Sequence, residues 1–172
     1  MVVAWFARLG MRLLAASVLC LAVQLPASAA AADEPVLALR VAMVDRLTLM
    51  PDVARHKWNA GAAVADPPRE EAVIAAAIAA GRDAGLGAEA VESAIRAQVD
   101  AARLVQAMLF DRWKGAGEGP FMEVPDLATV LRPRISAATA AVVDGLAGAL
   151  PALAACAGAS ALREYPDALA GF

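Results

Sequence analysis

The chain has 172 residues, enough for one ordinary domain, with a hydrophobic fraction of 60% and a mean hydropathy of +0.58. Much of that apolar content is alanine, a helix former with little area to bury. Aromatic residues make up only 5%, and no strand-like alternation of β-branched residues persists, so an all-α single helical domain of about five to six helices is expected. The formal charge of −3 becomes about −5 once Arg8 and Arg12 leave with an N-terminal leader, which argues against a nucleic-acid binder.

Residues 1–30 read as that leader. Arg8 and Arg12 form a positive start, residues 13–25 form an apolar stretch, and Pro26-Ala27-Ser28-Ala29 supplies a small-residue cleavage pattern. The domain proper is then 31–172, in the periplasm or outside the cell. No later stretch offers about 20 apolar residues without charge, so no membrane span is expected after cleavage. One cysteine remains, Cys156, and hence no intrachain disulfide; with one histidine, His56, read as a solvated helix residue, neither zinc nor haem is expected.

Asp33-Glu34-Pro35 opens a helix that the periodicity carries from residue 36 to about 60, with Pro51 kinking or loosening it. On one continuous helix Arg46 and Lys57, eleven residues apart, share a face bordering the seam of Leu39, Met43, Leu47, Met50, Val53 and Ala54. Cations beside a core seam are costly unless an anion meets them. Asp66-Pro67-Pro68 then predicts a sharply capped helix to about residue 84. Gly85-Leu86-Gly87 breaks it, and a third helix runs from Glu89 to Trp113 or Lys114. After the glycine-rich residues 115–120, a fourth helix starts at Pro125-Asp126 and runs to about residue 150, with Pro133 and Gly145 as weak points. Pro151 restarts the chain as a short helix near residues 153–159, and Tyr165 and Phe172 pack back from the tail.

Polar residues recur at helical spacings. Arg69 and Glu70 stand three and four residues beyond Asp66, Gln98 and Gln106 share one face of the third helix, and Arg132 lies near the start of the fourth. Taken singly, the charged residues are read as well or better as surface charge, with ion pairs such as Asp66–Arg69, and Gln106 as satisfying a neighbouring backbone group. Together they describe cations and a donor amide gathered by several helices around a small polyanion.

The series Arg46-Leu-x-Leu-Met-x-Asp52-Val-Ala54-x-x-Lys57-Trp58, Asp66-x-x-Arg69-Glu70, Gln98-x4-Arg103-x2-Gln106 and Asp126-Leu127-x3-Leu131-Arg132-Pro133 resembles chorismate mutases of the all-helical AroQ class, specifically the secreted, monofunctional subclass. The resemblance implies the AroQ fold and the Claisen rearrangement of chorismate to prephenate in aromatic amino acid biosynthesis, without covalent catalysis, metal or cofactor. By that resemblance Lys57 and Gln106 are the catalytic donors to the ether oxygen. Arg46, Arg69 and Arg132 bind carboxylates, and Asp66 and Glu70 lie near the substrate hydroxyl. Arg134 is a neighbouring substitute for Arg132. The implied partners are the small-molecule substrate and a second copy of the chain in a homodimer, with no nucleic acid and, after leader removal, no membrane.

Ala102 departs from the family pattern, standing where many relatives carry a Ser or Thr that contacts a carboxylate. A lost hydrogen bond of that kind weakens binding by about 0.5–3 kcal/mol. Two other readings share these residues: an isochorismate pyruvate-lyase-like enzyme, and an exported helical binding protein without turnover.

Overall fold

The computed structural model describes residues 27–154; for residues 27–33 it describes the backbone alone. Most of the expected leader, Cys156 and the tail with Tyr165 and Phe172 lie outside the described residues. Within them the protein is all α, with no strand: α1 (Ala27–Leu47), α2 (Met50–Asn59), α3 (Pro67–Asp83), α4 (Ala88–Ala116), a π-helical turn (Leu127–Leu131) and α5 (Arg132–Ala154).

Two expected elements are corrected. The first helix does not run unbroken to residue 60. It ends at Leu47 and resumes at Met50, so Arg46 and Lys57 stand on different helices, not on one continuous face. Pro51 has no N–H to offer Leu47, and the break falls just ahead of it, where Leu49 N–H reaches back to Arg46 O at 3.4 Å. At the other end Pro151 does not restart the chain: α5 passes through it to Ala154, and the rest of the expected short helix is outside the described residues.

The middle elements follow their sequence signals. Asp66 caps α3, its Oδ1 accepting from Arg69 N–H at 3.3 Å, and Pro67 and Pro68 fill the first turn, where a missing N–H leaves no bond unmade. Gly117 ends α4 in the left-handed region at φ +66, a conformation open to glycine without a Cβ clash. Asp126 caps the next element through Thr129, and the π turn that follows delivers the chain to Pro133. A wider turn there relieves the clash between a proline ring and the carbonyl four residues earlier.

The principal core joins α1, α3, α4 and α5 through Val36, Leu39, Ile74, Val91, Ile95, Val99, Val142, Val143 and Leu146. α1 and α5 form the most extensive helix pair. Gly145 permits it, since a Cβ there would lie 2.9 Å from the Leu39 Cα. By length and composition residues 127–154 would pass for a membrane span. One face of that segment, Leu131, Thr139, Val142, Val143, Leu146 and Ala149, is buried in the bundle. A second cluster joins Leu47, Leu49, Met50 and Val53 to Ala102 and Leu131, and a third gathers Trp58, Phe110, Trp113 and Phe121 where α2 meets the end of α4.

Candidate active site

Arg46, in the last turn of α1, is only 3% exposed. Its Nε donates to Thr139 Oγ1 on α5 at 3.1 Å and its Nη1 to the backbone carbonyl of Gln98 on α4 at 3.0 Å. Both acceptors are neutral, and among the described residues Arg46 has no carboxylate in ion-pair range. Burial pushes its guanidinium below the ordinary arginine value.

Lys57, half-buried on α2, donates to the carbonyl of Val64 in the α2–α3 loop. Burial pushes its ammonium down from the ordinary lysine value, and the Asp66 and Glu70 carboxylates pull it partly back up. Those acids are held by α3 itself. Glu70 Oε1 accepts from Asp66 N–H at 3.1 Å, closing a reciprocal cap with the Asp66–Arg69 bond. Glu70 Oε2 lies 3.9 Å from Arg103. Arg69 is half-buried on the same turn.

Gln98, Ala102 and Gln106 occupy one face of α4, all buried. Gln106 Nε2 donates to Ala102 O at 3.0 Å and, more weakly, to Met50 Sδ at 3.6 Å across the α2 interface. The amide oxygens of Gln98 and Gln106 are buried without a protein partner. Ala102 sits in the apolar cluster with Leu47, Met50 and Leu131.

The structure thus gathers Lys57, Asp66 and Glu70 in one electrostatic group. Arg46 lies between α4 and α5, and Gln106 is tied to α2 through Met50. Arg132 and Arg134 are exposed at the start of α5. Arg132 is seven residues before Thr139, about two turns along the same face, so it stands some 10 Å nearer the helix start than the Arg46 contact. Two surface concavities, of about 440 and 720 Å³, lie elsewhere: the first is lined by Pro51, Arg55, Arg112 and Trp113, the second by the small residues of the α1–α5 seam. Neither is lined by any of the seven expected site residues. No group of three or more metal-ligating side chains occurs among the described residues.

Thr139 was not among the residues singled out from sequence. It interrupts the apolar run of α5 between Ile135 and Val142–Val143, and a lone hydroxyl on a core-facing stripe was the available signal.

Residues 32–107 match the family described as chorismate mutase type II. The sequence is 32% identical over 126 residues to a protein named secreted chorismate mutase from Mycolicibacterium smegmatis, covering 72% of this chain and 69% of that protein. The chain belongs to the chorismate mutase family. Solved structures of chorismate mutases agree. That from Burkholderia phymatum superposes with a TM-score of 0.69 at 32% identity, over 78% of this chain and 84% of that one. That from Burkholderia thailandensis gives 0.65 at 28% identity, over 79% and 92%. The expected all-helical AroQ architecture and isomerase class therefore hold for this member of the family. The match at residues 32–107 takes in Arg46, Lys57, Asp66, Arg69, Glu70 and Gln106 but ends before Arg132 and Thr139.

Proposed function

We propose that this chorismate mutase converts chorismate to prephenate in a site built from Arg46, Lys57, Asp66, Arg69, Glu70, Gln106 and Arg132. The observation that carries the assignment is the state of Arg46: a buried cation held in place by neutral acceptors, with no carboxylate in ion-pair range among the described residues. Desolvating a charge without pairing it is unfavourable. A substrate carboxylate reaching that guanidinium supplies the missing counter-charge.

The rearrangement breaks one C–O bond as a C–C bond forms within a single molecule, so the protein has no group to transfer. Its tasks are to hold the substrate compact, with both carboxylates fixed, and to place donors where charge develops on the ether oxygen. Arg46, Arg69 and Arg132 take the first task. Lys57 takes the second, its ammonium held near Asp66 and Glu70, which favour the protonated form against burial. Gln106 supplies an amide donor by giving up its weak N–H···S contact to Met50 for the ether oxygen. Asp66 and Glu70 also meet the substrate hydroxyl. No cofactor enters this scheme.

The leader at residues 1–30, together with the name of the Mycolicibacterium smegmatis relative, supports action outside the cytoplasm on a domain spanning 31–172. A homodimer with each site drawn mainly from one chain is the corresponding assembly. Disappearance of chorismate absorbance with prephenate as the sole product tests the reaction. Release of pyruvate would instead place the chain with isochorismate pyruvate-lyase-like enzymes.

A further inference from the structure

We propose that Thr139 is a positioning residue that aims Arg46 at a substrate carboxylate. This inference rests on the role assigned to Arg46 above. Thr139 lies on α5, 93 residues from Arg46 in sequence, and is 7% exposed. Its hydroxyl hydrogen has a fixed destination, the carbonyl of Ile135 one turn back at 2.7 Å. The oxygen therefore turns a lone pair toward Arg46 Nε, which it meets at 3.1 Å.

The second restraint on Arg46, the Gln98 carbonyl at 3.0 Å, comes from α4. Two neutral acceptors on two different helices thus fix the guanidinium plane. They commit two of its five N–H donors and leave the rest of the fork for a carboxylate. An acidic residue at position 139 would hold Arg46 as well but would compete with the substrate for its charge. A hydroxyl orients without neutralising.

The experiment compares Thr139→Val, which keeps the shape and removes the acceptor, with Thr139→Ser, which keeps the hydroxyl. Each is made in the wild-type and Arg46→Ala backgrounds, with thermal unfolding followed alongside. Thr139→Val is expected to raise KM for chorismate about tenfold while kcat stays within about threefold. Thr139→Ser returns KM to within about twofold of wild type. In the Arg46→Ala background Thr139→Val adds less than about twofold, because the group it positions is gone.

A wild-type KM in Thr139→Val overturns the proposal, as does an equal loss in both backgrounds, which is what a merely structural threonine gives. Should Thr139→Val not fold, Thr139→Ala carries the same comparison. If Arg46→Ala itself keeps a wild-type KM, the role assigned to Arg46 fails. If Arg46→Ala is impaired and Thr139→Val is not, Thr139 alone fails.

Discussion

Arg46 and Arg96 place the same side chain in opposite surroundings. Arg96, nearly half exposed on the outer face of α4, pairs with Glu71 of α3 at 2.9 Å and with Glu92 one turn back at 3.0 Å. The two carboxylates raise its pKa, chiefly through Glu71. Arg46, among the most buried of the described residues, has there only a hydroxyl and a carbonyl as partners, and burial lowers its pKa. Carboxylates have been placed where water already screens charge and an ion pair adds little. They are missing where a pair would matter most. The difference separates a solvent-screened cation that bridges α3 and α4 from a buried one held by neutral acceptors.

The largest effect that can break this contrast belongs to Lys57, the other inward cation. Lys57→Ala is expected to lower kcat/KM by at least about 10², the scale for removing a donor to developing charge. Near-normal turnover would remove it from the chemistry. Arg46→Ala follows, with a loss of about tenfold or more that falls mainly on KM. Arg46→Lys is expected to recover only part of it, since a point charge lacks the planar fork. Full recovery in steady-state kinetics would reduce Arg46 to a bare charge.

The pH profile is the next test. Lys57 donates only when protonated, so activity is present below its pKa and lost as pH rises through it. Burial lowers that pKa, so the alkaline limb of kcat/KM is expected below the ordinary lysine value of about 10.4. Because an amide does not titrate, Gln106 requires no acid, and the profile should be flat between about pH 5 and 8. A tenfold fall from pH 5 to 7.5 would contradict the role given to Gln106. The smallest effect is reserved for the outer cation: Arg96→Ala is expected to leave kcat/KM within about twofold of wild type and thermal unfolding nearly unchanged. A large loss of activity there would collapse the contrast between the two arginines.

Much of this was legible because it is local. The Asp66-Pro67-Pro68 start, the Gly85-Leu86-Gly87 break and the long seam of α4 are each written in adjacent residues, and the helices follow them. The single face expected for Arg46 and Lys57 was not realised. Periodicity alone does not say whether a proline will be absorbed as a kink or, as at Pro51, preceded by a break. The neutral partners of Arg46 were out of reach for another reason: Gln98 O belongs to the backbone, and Thr139 is 93 residues away. Family resemblance marked Arg46 as important, but only the packing of α1 against α4 and α5 shows how it is held.

The end of α2 is secured by an exchange of a different kind. Asn59 Nδ2 donates to Phe121 O, and Phe121 N–H returns a bond to Asn59 Oδ1, each at 2.8 Å; beside them Trp58 Nε1 donates to Gly119 O. A side-chain amide here does the work of a neighbouring strand, pairing both the N–H and the C=O of one residue. It fastens the middle of the excursion between α4 and α5, so that one longer connection becomes two short ones with fewer arrangements to sample. The same rivet joins the segment leading into α5 to the helix that carries Lys57. The helix that carries Lys57 and the chain that leads into the helix supporting Arg46 are thereby joined directly.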